Sequence, residues 1–204
     1  MRANGWKRIA VCAAAVALMS VARPVQAQSV IQAVAGVTKT AAQHPVFAGT
    51  IGRQMGIFEI DGEFGKMQNI VPKTIADTSF RVSGNESTAE LPAWYGMGLV
   101  RLIAPSGLVR PFAAAGLGLA RLHPQFSAPD SDLNVPLIFG ENGDTTKFLL
   151  GAGAGLRVSS GRLALDGGYR FVRVFQTYRS DRNLNNDDVL VNVHMFYVAL
   201  GVKF

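Results

Sequence analysis

Val189-Leu190-Val191-Asn192-Val193-His194-Met195-Phe196-Tyr197-Val198-Ala199-Leu200-Gly201-Val202-Lys203-Phe204 is the stretch whose reading decides the fold. Counting back by twos from the last residue gives Phe204, Val202, Leu200, Val198 and Phe196, all large and apolar. Between them stand Lys203, Gly201, Ala199 and Tyr197, which are small, polar or amphipathic. A period of two is the signature of a strand with one apolar face. A strand that keeps this face to its last residue gains nothing in water, but it is what a lipid-facing barrel wall requires.

Working back from this stretch, seven further runs alternate in the same way, at Val30–Lys39, Pro45–Met55, Ile57–Met67, Trp94–Ile103, Val109–Leu122, Lys147–Val158 and Arg162–Phe175. The phase of each run assigns its faces. The third turns Phe58, Ile60, Gly62 and Phe64 outward and Glu59, Asp61, Glu63 and Gly65 inward. The fifth turns Val109, Pro111, Ala113, Ala115, Leu117 and Leu119 outward. The sixth presents Phe148, Leu150 and Leu156 to the outside and Gly151, Gly153, Gly155 and Arg157 to the inside. The seventh places Leu163, Leu165, Tyr169 and Phe171 outward, with Asp166, Gly168 and Arg170 inward.

Connections alternate in length. Turns at Gly56, Pro105-Ser106-Gly107 and Ser159-Ser160-Gly161 are tight. Gln68–Glu90, His123–Thr146 and Gln176–Asp188 are long and polar, and a short link at Ala42–His44 joins the first two strands. An even strand number with tight turns at one end and long loops at the other is the plan of a bacterial outer-membrane barrel. The fold expected is an eight-stranded antiparallel up-and-down transmembrane β-barrel over residues 28–204, all-β and a single domain.

Residues 1–27 read as a secretory signal: Arg2, Lys7 and Arg8, then an apolar run from Ile9 to Val21, then Val25-Gln26-Ala27 as the cleavage site. This segment holds four of the 20 basic residues, none of the 14 acids and the single cysteine, Cys12. Without it the chain is close to neutral and free of thiols, so its basic composition argues for targeting and against nucleic-acid binding. No stretch after residue 27 approaches the roughly 20 apolar residues of a membrane helix.

The inward charges are the principal constellation. Glu59, Asp61, Glu63 and Asp166 face Arg101, Arg110, Arg157 and Arg170, with Arg53 of ambiguous phase. An eight-stranded barrel is just wide enough for its lumen to fill with side chains. Buried charges of opposite sign then pair, because each isolated one costs several kcal/mol. The expectation is a charged plug; a gated ion or proton path is the alternative. The glycines at 151, 153 and 155 lie at strand spacing with no helix after them, so they are not a nucleotide loop. Asp181-x-Asn183-x-Asn185 has the opening of a calcium loop. It has Asn186 where that loop needs glycine and Asn192 where it needs glutamate. No metal and no cofactor are expected.

The ensemble of strand count, charged and glycine-rich inner faces and closing aromatic resembles the OmpA-like small outer-membrane barrels. The resemblance implies an outer-membrane location and a monomer in contact with outer-membrane lipid. It also implies that the row Phe196, Val198, Leu200, Val202 and Phe204 is the signal read by the barrel assembly machinery. The role implied is structural or adhesive, with an external ligand reached through the loops and no enzymatic activity. Some eight-stranded barrels are lipid A-modifying enzymes with a histidine, a serine and an acid on the outer wall, and His194 lies on the lipid-facing row. That enzyme and a narrow channel are the rival readings. Apolar loop residues such as Ile70 and Val71 either fold over the mouth or bind a partner.

Overall fold

The computed structural model describes residues 28–40, 42–72, 88–127, 144–175 and 191–204. The segment read as a signal, most of each long loop and the calcium-like motif lie outside them.

Ten strands are numbered in chain order: β1 (Gln28–Lys39), β2 (Gln43–Met55), β3 (Phe58–Met67), β4 (Thr88–Glu90), β5 (Ala93–Ile103), β6 (Val109–Leu122), β7 (Gln125–Ser127), β8 (Thr145–Ser160), β9 (Leu163–Val174) and β10 (Val191–Lys203). Eight of them close a barrel in the order β1-β10-β9-β8-β6-β5-β3-β2, and every neighbouring pair is antiparallel. The seam that closes it pairs Val30 with Lys203 and Lys39 with His194. Beyond Lys203, Ser29 and Phe204 exchange backbone hydrogen bonds of 2.9 and 3.0 Å.

The eight barrel strands are those expected, with ends shifted by about one or two residues, the usual uncertainty of a strand end. β4 and β7 were not expected. They are three residues each, lie within segments read as polar loops, and pair with each other beyond the loop end of the barrel.

Turn chemistry explains the end with short connections. Met55 pairs with Phe58 and Ser160 with Leu163, so Gly56 and Gly161 each open a two-residue hairpin. Their φ angles are 67° and 55°. A positive φ at the first central position is the II′ arrangement, whose twist matches the strands and which glycine adopts without a Cβ penalty.

The wall obeys the alternation. Phe196, Val198, Leu200, Val202 and Phe204 are exposed on the outside, as are Ile60, Phe64, Leu117 and Leu156. Val191, Val193, Met195, Tyr197 and Ala199, the alternate residues of β10, are buried in the lumen. Arg53 resolves outward, on the exposed row of β2, and takes no part in the interior.

Candidate functional site

An ionic layer fills the middle of the lumen, with an apolar layer toward the loops and the Arg110, Lys203 and Ser159 group at the short-turn end. β3 supplies three of the ionic layer's four acids, Glu59, Asp61 and Glu63, from successive inward positions, and β9 supplies the fourth, Asp166. Asp166 is the hub. Its Oδ1 accepts from Arg157 Nε at 2.7 Å, and its Oδ2 accepts from Arg157 Nη2 at 2.7 Å, Arg101 Nη1 at 2.9 Å and Gln32 Nε2 at 2.9 Å. Arg157 also donates to Glu59 Oε1 at 2.8 Å, so one guanidinium neutralises two carboxylates. A step nearer the loops, Glu63 accepts from Arg170, from the Tyr95 hydroxyl at 2.8 Å and from Thr50 Oγ1 at 3.3 Å. Two rings complete the cage: Arg101 lies over Phe112 at 5.6 Å and Arg170 over Tyr197 at 5.0 Å. Paired, hydrogen-bonded and shielded charges of this kind avoid the penalty of isolated buried ions.

Asp61 is held differently. Arg101 Nε stands 2.7 Å from Asp61 Oδ2, yet neither that nitrogen nor either carboxylate oxygen has an aligned hydrogen bond. The contact is an ion pair without the directional component that strengthens charged hydrogen bonds. The carboxylate occupies the space over Gly52, where a Cβ would lie 1.8 Å from Asp61 Oδ1.

Arg110 stands apart from the network expected for it. Nη2 of Arg110 donates to Ser159 Oγ at 2.9 Å, and Lys203 Nζ donates to the same oxygen at 2.8 Å. The reason is register. Arg110 pairs with Arg157 across β6 and β8, at the level nearest the short turns, whereas Asp166 pairs with Arg157 from the other side. The residues Gln32, Thr50, Tyr95 and Tyr197 belong to the network but were not singled out in the sequence. Their signal was present: each is a polar or amphipathic residue on an inward position.

Toward the loops, the lumen becomes apolar. Val46, Met67, Ala93, Leu122, Leu149, Val174, Val191 and Val193 converge at the strand ends, each at most 1% exposed. Ile70, Val71 and Leu91, just beyond β3 and before β5, fold into the same layer and are buried. The layer thus caps the ionic one. At the mouth beyond it, Asp144 accepts from Arg121 Nη2 at 2.9 Å and contacts His123 Nδ1. Desolvation pushes the Asp144 carboxyl up, but the hydrogen bonds from His123 and Arg121 outweigh it and hold the group below its ordinary 3.8.

On the outer wall, His194 Nδ1 lies 2.7 Å from the Tyr169 hydroxyl, between the rings of Tyr169 and Phe171. No group of three or more histidine, cysteine or acidic residues among the described residues is arranged to hold a metal ion.

No family model and no curated protein matches the chain. Solved structures do. The crystal structure of Neisserial surface protein A superimposes with a TM-score of 0.57 at 14% identity, covering 87% of this chain and 97% of that one. The chain has the fold of the small eight-stranded outer-membrane barrels. A major outer membrane protein from Thermus thermophilus gives a TM-score of 0.55 at 10% identity, covering 87% of this chain and 99% of that one. Outer membrane protein H from P. aeruginosa, solved in micelles, gives 0.52 at 18% identity with the same two coverages.

Proposed function

We propose that this chain is an outer-membrane barrel whose lumen is sealed, and that its role is structural or adhesive, exercised through the loops at the apolar-capped end. The observation that carries the reading is the pair of stacked layers inside the barrel. Ions cross a pore only where water or a polar path accompanies them. Here the guanidinium and carboxylate groups are committed to one another, and the cap above them is built from valine, leucine, isoleucine and methionine with almost no exposed surface. Such a column supports a rigid post that displays loops better than it supports a conduit. The His194–Tyr169 contact on the outer wall supports a lipid-modifying enzyme less well. Among the described residues the hydrogen-bond and ring contacts of His194 are to Tyr169 and Phe171, neither a serine nor a carboxylate.

The test is reconstitution of the folded full chain into planar bilayers. The expected trace is flat, with no discrete conductance steps at either polarity. Reproducible steps that survive purification to a single folded band would refute the sealed lumen.

A further inference from the structure

Cations gather on aromatic rings on the outer wall at the loop end of the barrel. Lys39 of β1 is the register partner of His194 of β10, and His194 that of Phe171 of β9. One pleat nearer the loops, Asn192 pairs with Arg173 and accepts a 3.0 Å hydrogen bond from its Nε. The Arg173 guanidinium stands 5.9 Å from the centre of the Phe171 ring. Below this group Tyr169 packs on Phe196 at 5.2 Å, and Phe196 lies between His194 and the wholly apolar remainder of the row. Lys39, Asn192 and His194 are exposed.

Charge distinguishes this side from its opposite. Across β3, β5 and β6, Lys66, Trp94 and Arg121 form a similar row, with Lys66 5.5 Å from the Trp94 ring centre. There Arg121 already has Asp144 at 2.9 Å. Around Lys39 and Arg173 no carboxylate among the described residues completes an ion pair. Adjacent strands lie about 5 Å apart and successive outward residues about 7 Å apart, so side chains as long as lysine and arginine can close on one small anion from three strands. A cation on a lipid-facing wall is costly unless it reaches the interface and meets a polar or anionic group there.

We propose that Lys39, Arg173, Asn192 and His194 form a site for the phosphate of a phosphorylated lipid headgroup in the leaflet at the loop end, with an acyl chain lying along Phe171 and Phe196. The inference rests on the outer-membrane placement proposed above. The phosphate takes charge-assisted hydrogen bonds from the two cations. Asn192 orients the arginine, and the rings set the depth at which the headgroup sits.

The experiment uses the folded full chain in detergent micelles, with diphosphoryl lipid A, its dephosphorylated form and inorganic phosphate as probes and native mass spectrometry as readout. Wild type should retain the diphosphoryl lipid. The Lys39→Gln/Arg173→Gln variant should retain it roughly tenfold less or weaker still. The Arg121→Gln variant, whose cation is already paired, should behave as wild type. Folding of each is checked by its mobility on unheated gels, and if the double variant misfolds the two single variants are read instead. Equal retention by wild type and variant overturns the site. So does equal retention of the dephosphorylated lipid, and so does displacement by millimolar inorganic phosphate, which would mark a free-anion site. Conductance steps in bilayers would overturn the sealed lumen and leave these retention ratios unchanged, so the two failures are separable.

Discussion

At the scale of single residues, the interior separates charges that share a hub from charges that share a wall. Arg157 neutralises both Glu59 and Asp166, and is itself 0% exposed. Replacing it with methionine keeps much of the bulk and leaves the buried Glu59 and Asp166, together with Asp61, to share the one remaining nearby guanidinium, that of Arg101. Breaking a buried pair from one side costs about 3–5 kcal/mol. Asp61→Ala is milder, because Arg101 keeps Asp166 at 2.9 Å and Glu59 at 3.5 Å. Urea unfolding of the micelle-refolded chain should therefore rank Arg157→Met well below Asp61→Ala, with the lipid-side Ile60→Val indistinguishable from wild type. A reversed order would show that Asp61, misaligned contacts included, is the partner on which the layer depends. The acids of β3 were readable in the sequence because three carboxylates at alternate positions cannot all face lipid. The isolation of Arg110 was not readable. Phase says only that a residue points inward, while level in the lumen follows from the stagger between strands.

Elements show the same division between face and level. β3 and most of β8 alternate large apolar residues with small or charged ones, and the last five outward residues of the β10 stretch are all large and apolar, so these faces are assigned by inspection. In β2, small residues fall on both rows: Gly49 outward, and Ala48 and Gly52 inward. That weak contrast gives Arg53 no definite phase in the sequence. β4 and β7 were invisible because three-residue strands carry no periodicity and owe their pairing to each other across long sequence separation. The glycines of β8 were legible as crowding, and the structure gives them specific neighbours. A Cβ at Gly155 would lie 2.6 Å from Phe112 Cζ and 2.4 Å from the Gly167 carbonyl oxygen. A Cβ at the outward Gly62 would have nothing nearer than 3.9 Å. Gly155→Ala should thus destabilise by about 1–3 kcal/mol through overpacking. Gly62→Ala should be neutral or stabilise by up to about 1 kcal/mol, since it only narrows the unfolded ensemble. Denaturant midpoints of the two variants, measured side by side, test the face assignment of both strands at once.

For the molecule as a whole, the decisive asymmetry is between its two ends. One end holds the hairpins opened by Gly56 and Gly161 and the Ala104–Leu108 connection, where Ala104 N–H donates to the Pro111 carbonyl at 3.0 Å. The other carries the apolar cap, the β4–β7 pair and the points of departure of the three long loops. Tight hairpins satisfy their own backbone and offer a protease little extended chain. Long loops of small and polar residues are preferred sites of nicking. If the long-loop end faces outward from the cell, protease added to intact cells should cut within Gln68–Glu90, His123–Thr146 or Gln176–Asp188. The Pro105–Gly107 and Ser159–Gly161 turns should be spared until the envelope is opened. Mass spectrometry of the released and retained fragments distinguishes the cases. The core fragments should remain associated after cutting, because nearly all of the eight-strand ladder and the whole ionic layer lie below these loops. Cuts at the short turns in intact cells would mean the barrel sits the other way up. The cation cluster at Lys39 and Arg173 would then face the opposite leaflet, and the loops could not be the surface through which the protein meets a partner outside the cell.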